Sequence, residues 1–218
     1  MKKGIFTLIA ALLSFSISFS QTFVSGSFGI NHLIEDANVN DPNNKQSTSF
    51  SFGLSPKVGH WINNKLALGG LANIGYSQIT TPTIKTQDLS YGLGVFVRYK
   101  LYTWGNIKLY MESPLNYSHT IQKTASGNET EYKKSSATNT IALNAYPLLE
   151  YALTDKFLLL ITPNFLNLGV SYATTQYPDQ NVKKQKINYS LGGKTTLFNF
   201  LGDISIGFSY SLPQLSKE

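Results

Sequence analysis

The chain has 218 residues, 18 Lys and Arg against 12 Asp and Glu, a formal net charge of +6, and no cysteine. The missing cysteine excludes disulfides, thiolate metal sites and anchoring through a lipidated cysteine. Charged residues make up 14% and aromatics 13%, a balance that suits a wall facing an apolar medium rather than water.

Residues 1–20 read as a secretory signal. Lys2 and Lys3 give a positive start, Gly4 to Ile17 is apolar, and Ser18 and Ser20 put small residues just before Gln21. Cleavage after Ser20 leaves one domain over residues 21–218 and, by removing two lysines, a net charge of +4. No second stretch reaches the ~18–20 apolar residues of a membrane helix.

Beyond the signal, apolar residues recur at every second position, the period of a strand with one apolar face. Strand one is expected over about 22–33, with Val24, Gly26, Phe28 and Ile30 outward. Strand two, about 47–62, sends Phe50, Phe52, Leu54, Pro56 and Val58 outward, and Ser49, Ser51, Gly53, Ser55 and Lys57 inward. Strand three, about 65–77, has Leu66, Leu68, Ala72 and Ile74 outward. In strand four, Leu89, Tyr91, Leu93, Val95, Val97, Tyr99 and Leu101 share one face, and Ser90, Gly92, Gly94, Phe96, Arg98, Lys100 and Tyr102 the other. Strands five and six are expected at about 107–120 and 139–153. Strand seven, about 156–173, changes phase between Phe165 and Leu168, which predicts a bulge. Strand eight, 188–212, changes phase across Phe198 to Asp203. It reads as one long bulged strand, with two strands turning at Leu201-Gly202-Asp203 as the rival. Pro56, Pro114, Pro147 and Pro163 should mark breaks in the hydrogen-bond ladder, because proline has no donor.

The connections alternate in length. Asn63-Asn64, Trp104-Gly105-Asn106 and Thr154-Asp155 are short, whereas roughly 34–46, 78–88, 121–138 and 174–187 are long and polar. Eight strands joined this way put every short turn at one end and every long loop at the other. That is the layout of an all-β, up-and-down antiparallel transmembrane barrel with periplasmic turns and extracellular loops. The tyrosines agree. On the outward parity, Tyr76, Tyr91, Tyr117, Tyr172 and Tyr189 fall at loop ends, and His60, Tyr99, Tyr151 and Tyr210 at turn ends. Two aromatic rows separated by aliphatic residues mark the two interfaces of a bilayer. Cross-strand aromatic pairing in a soluble barrel is the competing reading.

A repeat supports the strand count: residues 54–68, LSPKVGHWINNKLAL, align with residues 145–159, AYPLLEYALTDKFLL. Proline, a ring, a short turn and lysine recur at one spacing.

Four segments carry a resemblance: Gly53-Leu-Ser-Pro-Lys-Val-Gly-His-Trp, Asn64-Lys-Leu-Ala-Leu-Gly, Gly94-Val-Phe-Val-Arg-Tyr and Ile206-Gly-Phe-Ser-Tyr. Over essentially the whole mature chain the sequence resembles the porin-like outer-membrane β-barrel domain family of small bacterial barrels. The resemblance implies the fold more than any one activity. Many such barrels end on an aromatic residue read by the insertion machinery; here Pro213 to Glu218 follow Tyr210 and Leu212.

The inward positions hold Lys57, Arg98, Lys100, Lys108, Glu112, Glu150 and Lys194. A barrel of eight strands is about wide enough to be filled by its own side chains, and charges inside must pair. The first reading is a structural polar network; the second is a proton or ion path. A three-residue turn at Trp104-Gly105-Asn106 would set Thr103 against Ile107, Tyr102 against Lys108, Lys100 against Tyr110 and Arg98 against Glu112. Pairing of Arg98 with Glu150 or with water alone is the alternative.

Catalytic constellations are weak. His32, His60 and His119 lie far apart, and there is no HExxH, GxSxG or phosphate-binding glycine loop. Ser118-His119 sits at the depth where small barrels modify lipid A, but neighbouring strand residues face opposite ways. No cofactor or metal is expected. The basic excess gathers in Lys133, Lys134, Lys183, Lys184 and Lys186, in loops that would face anionic lipid head groups rather than nucleic acid. The expected role is an integral outer-membrane protein, structural or surface-exposed and monomeric. Its partners would be outer-membrane lipids, lipopolysaccharide, insertion machinery and periplasmic chaperones. A small passive channel, a loop-based surface binder and a lipid A-modifying enzyme are the alternatives.

Overall fold

The computed structural model describes residues 22–35, 47–126, 131–163, 166–178, 182–191 and 204–212. The expected signal at residues 1–20, the start at Gln21, Lys194 and the Phe198 to Asp203 stretch lie outside them.

Ten strand segments build the wall: β1 (Thr22–Glu35), β2 (Ser47–Trp61), β3 (Leu66–Thr80), β4 (Ile84–Trp104), β5 (Ile107–Ser126), β6 (Lys133–Ala152), β7 (Phe157–Pro163), β8 (Leu168–Tyr177), β9 (Val182–Leu191) and β10 (Ile204–Ser211). They fill eight positions. β1 to β6 each pair antiparallel with the next. The two halves of the seventh position, β7 and β8, both pair with β6. Those of the eighth are β9, on β8, and β10, which pairs with β7 and returns to β1. Among the described residues the ring closes through Phe23↔Ser211 to Ser27↔Gly207, on the turn side, and closure removes the open edge that a lipid-embedded sheet cannot carry.

Parity decides which residues are buried. Phe23, Ala67, Leu71, Phe96, Tyr110, Leu148, Leu158 and Leu160 turn inward and are buried, while Leu93, Val95, Leu115, Ile141 and Leu143 stand exposed on the outer face. An inside-out arrangement of this kind fits a barrel solvated by lipid. Tyr91 and Tyr99 are both exposed on β4. They lie eight residues apart, roughly 26 Å along a strand that rises ~3.3 Å per residue, close to the height of an outer-membrane apolar band. Tyr117, Tyr151, Tyr172, Tyr189 and Tyr210 are likewise exposed. Tyr76 is half-buried, packed on Phe50 and donating to Gln78 Oε1 at 2.8 Å.

The prolines sit at discontinuities. The β2–β3 ladder lapses between Leu54↔Ile74 and Lys57↔Leu71, around Pro56. The β5–β6 ladder lapses between Glu112↔Tyr146 and Leu115↔Leu143, around Pro114. β7 ends on Pro163. Pro147, by contrast, keeps its place in the ladder opposite Met111. Between β7 and β8 the outward parity passes from Phe157 to Leu168 and Val170, the phase change read from the sequence. A second change separates Tyr189 on β9 from Phe208 and Tyr210 on β10.

Four expectations need correction. Residues 78–88 are not a long loop: β3 and β4 stay paired out to Thr80↔Lys85, and only Thr81 to Thr83 connect them. Thr81 Oγ1 accepts from Ile84 N at 3.1 Å to tie that turn. Most of residues 174–187 is likewise strand, with β8 and β9 paired out to Tyr177↔Val182, and β5 and β6 run on in the same way to Ser126 and from Lys133, so much of residues 121–138 is strand. Each has 20 residues, against the ~9–11 that a crossing strand needs. Polar hairpins continue the ladder past the membrane because backbone pairing needs no apolar face. Finally, the β4–β5 turn has two residues, Gly105 and Asn106, not three. Trp104 faces Ile107, Thr103 faces Lys108, and Tyr102 faces Leu109. Gly105 has a φ of 54°, the left-handed conformation that glycine adopts without strain.

The aligned repeat is matched hydrogen bond for hydrogen bond. Ile62 and Asn63 donate to Leu66 O as Leu153 and Thr154 donate to Phe157 O. Asn63 Oδ1 accepts from Lys65 N and Leu66 N, as Thr154 Oγ1 accepts from Lys156 N and Phe157 N.

Candidate functional site

The lumen-facing residues of β2, β4, β5 and β6 meet in one charged layer. Arg98 on β4 and Glu112 on β5 are directly opposed. Arg98 Nε and Nη2 donate to Glu112 Oε2 at 2.8 and 2.6 Å. A two-residue turn alone would not give this register. The extra residue Leu101 is a bulge between Lys100 and Tyr102 that shifts the ladder back by one. Lys100↔Tyr110 and Arg98↔Glu112 therefore face the lumen, while Tyr102 is carried to the exposed side.

Glu112 is shared. Its Oε1 accepts from Lys57 Nζ and, at 2.7 Å, from Tyr146 Oη on β6. Lys57 also donates to Tyr146 Oη at 3.1 Å. Lys57 on β2, opposite Leu71 on β3, reaches Glu112 across the inward faces of β3 and β4. Gly69 lies directly opposite Gly59, and the Phe96 and Phe23 rings lie on these glycines where a side chain would stand. The Arg98 guanidinium is held by rings as well as by charge, 4.8 Å from the Phe23 centroid and 5.7 Å from those of Phe96 and Tyr110. Arg98 is 1% and Glu112 0% exposed.

A second group lies nearer the turns. Glu150 on β6 accepts from Lys108 Nζ at 3.0 Å and from Tyr110 Oη at 3.1 Å. Trp61 bridges the two groups, 5.9 Å from Phe23 and 5.6 Å from Tyr110. Lys100 is half-buried and makes no ion pair among the described residues. Glu150 thus belongs to Lys108 rather than to Arg98. Tyr146, Phe23 and Trp61 were not among the sequence candidates, although each has inward parity on its strand.

His119 faces outward. Its ring packs against Tyr91, and its Nδ1 lies 2.7 Å from Asn139 Oδ1, which also accepts from Tyr117 Oη at 2.7 Å. Ser118 lies on the opposite parity, between Gly92 and Thr140, so the two side chains form no nucleophile–base pair.

Neither a protein-family model nor a curated relative matches the sequence. Solved structures do. A major outer membrane protein from Thermus thermophilus aligns with a TM-score of 0.51 at 12% identity, over 88% of this chain and 99% of that one. Ail, the attachment invasion locus protein of Yersinia pestis, aligns at 0.42 and 13%, over 88% and 99%. Neisserial surface protein A aligns at 0.36 and 13%, over 88% and 96%. With its wall closed over eight strand positions, the chain has the fold of the small bacterial outer-membrane β-barrels.

Proposed function

We propose that the chain is an integral outer-membrane protein whose lumen is closed by its own side chains, and whose role is structural or exercised at the cell surface. The observation that carries this reading is the Lys57–Glu112–Arg98 layer, drawn from β2, β4 and β5 and packed against Phe23, Phe96 and Trp61. A layer fixed by a shared carboxylate and three rings fills the space a solute would need. The hairpins of β3–β4 and β5–β6 support a surface role, because they extend past the aromatic row on the loop side. The opposite faces of Ser118 and His119 count against lipid A chemistry. Lipids and lipopolysaccharide would contact the outer wall, and chaperones and insertion machinery would deliver it. Planar-bilayer recording of the folded protein, identified by its heat-dependent electrophoretic mobility, tests the reading. No stable conductance of porin size is expected; reproducible large open channels would overturn it.

A further inference from the structure

Two cations converge on one carboxylate in the central layer. Between Lys57 and the turn end, the described lumen-facing residues include Lys57, Arg98, Lys100 and Lys108 against Glu112 and Glu150. Glu150 is taken by Lys108 and Tyr110, so among the described residues the layer around Glu112 keeps an excess positive charge. Uncompensated charge inside a barrel wall is unfavourable, and a neutralising partner is expected within reach.

Beside this layer lies a cavity of about 30 Å³, lined by Lys57, Arg98, Ser25, Ser27, Thr162 and Ser205 together with Leu148 and Leu160. One water occupies roughly 10–15 Å³ by the same measure, so there is room for a monatomic ion or a pair of waters. The cavity wall also holds an orphan donor. Ser25 is 5% exposed, and its Oγ has no hydrogen-bond partner among the described residues. Ser209, directly opposite on β10, is 2% exposed and its Oγ is equally unpartnered. Buried hydroxyls are seldom left so without a ligand or water to satisfy them.

We propose that this cavity binds a small monovalent inorganic anion of the halide type, held by Lys57, Arg98 and the Ser25 hydroxyl. Cations on one side supply the charge, hydroxyl groups on β1 and β7 supply donors, and Leu148 and Leu160 limit the size. Such an ion would neutralise the layer from the side that Glu112 does not reach.

The test uses the folded barrel in detergent. Crystals grown with bromide should give an anomalous peak between Lys57 Nζ, the Arg98 guanidinium and Ser25 Oγ. Water-like density without anomalous signal there, or bromide only on surface lysines, overturns the proposal. Thermal unfolding at constant ionic strength should shift to lower temperature when chloride is replaced by gluconate, which is too large to enter. An identical midpoint in the two salts also overturns it. Lys57→Met should lose the halide dependence. Should that variant not fold, Ser25→Ala keeps both cations and should raise the halide concentration for half-effect roughly tenfold, the scale of one hydrogen bond to a charged group.

Discussion

Removing Glu112 should cost more than removing Arg98, although the two form one ion pair. Glu112→Ala takes the acceptor from Arg98, Lys57 and Tyr146 together. It leaves a guanidinium that is 1% exposed and a lysine whose side chain is 17% exposed. Breaking a buried pair in this way costs roughly 3–5 kcal/mol, because the charge left behind is neither solvated nor paired. Arg98→Ala leaves Glu112 with Lys57 and Tyr146, so the carboxylate stays partnered. The loss is then nearer the ~1.5–3 kcal/mol of hydrogen bonds to a charged group, with the ring contacts added. The double variant should cost less than the sum of the singles by about 0.5–3 kcal/mol. Urea unfolding of the barrel in lipid or detergent gives these values. Trp61 is a built-in probe between Phe23 and Tyr110, and Trp104→Phe removes the exposed second tryptophan. Additivity within about 0.5 kcal/mol, or a larger loss for Arg98→Ala than for Glu112→Ala, would refute the shared-carboxylate argument.

Gly69→Ala should destabilise by roughly 1–3 kcal/mol, because its Cβ would stand 2.3 Å from Val58 O and 2.5 Å from the Phe96 ring. Gly53→Ala, with nothing within 4 Å, is the control and should be near neutral by the same unfolding assay. Gly105→Ala should cost about 1–2 kcal/mol for the left-handed backbone, with Gly105→Asn milder; equal stability of all three would contradict the two-residue turn. Intact mass of protein from the outer-membrane fraction should correspond to a chain starting at Gln21, and a mass that includes Met1 to Ser20 would refute the expected cleavage.

Local alternation in the sequence was enough to tell inside from outside. Successive strand residues face opposite ways, so each side chain reports its own face without knowledge of its neighbours. That is why the tyrosine rows, the phase change after Phe165 and the inward set Lys57, Arg98, Glu112 and Glu150 were legible in the sequence. The ends of the strands were not. Past the membrane both faces meet water, so β3 and β4 around Thr80 and Lys85 carry no apolar signature, and their pairing resembles a polar loop in the sequence. Nor was the detailed register legible. A three-residue turn and a two-residue turn preceded by a bulge at Leu101 set Arg98 against Glu112 alike, but they send Tyr102 to opposite faces. Only the tertiary structure decided that Lys57 and Tyr146 share Glu112 with Arg98, because contacts across a lumen depend on the stagger accumulated around the closed wall.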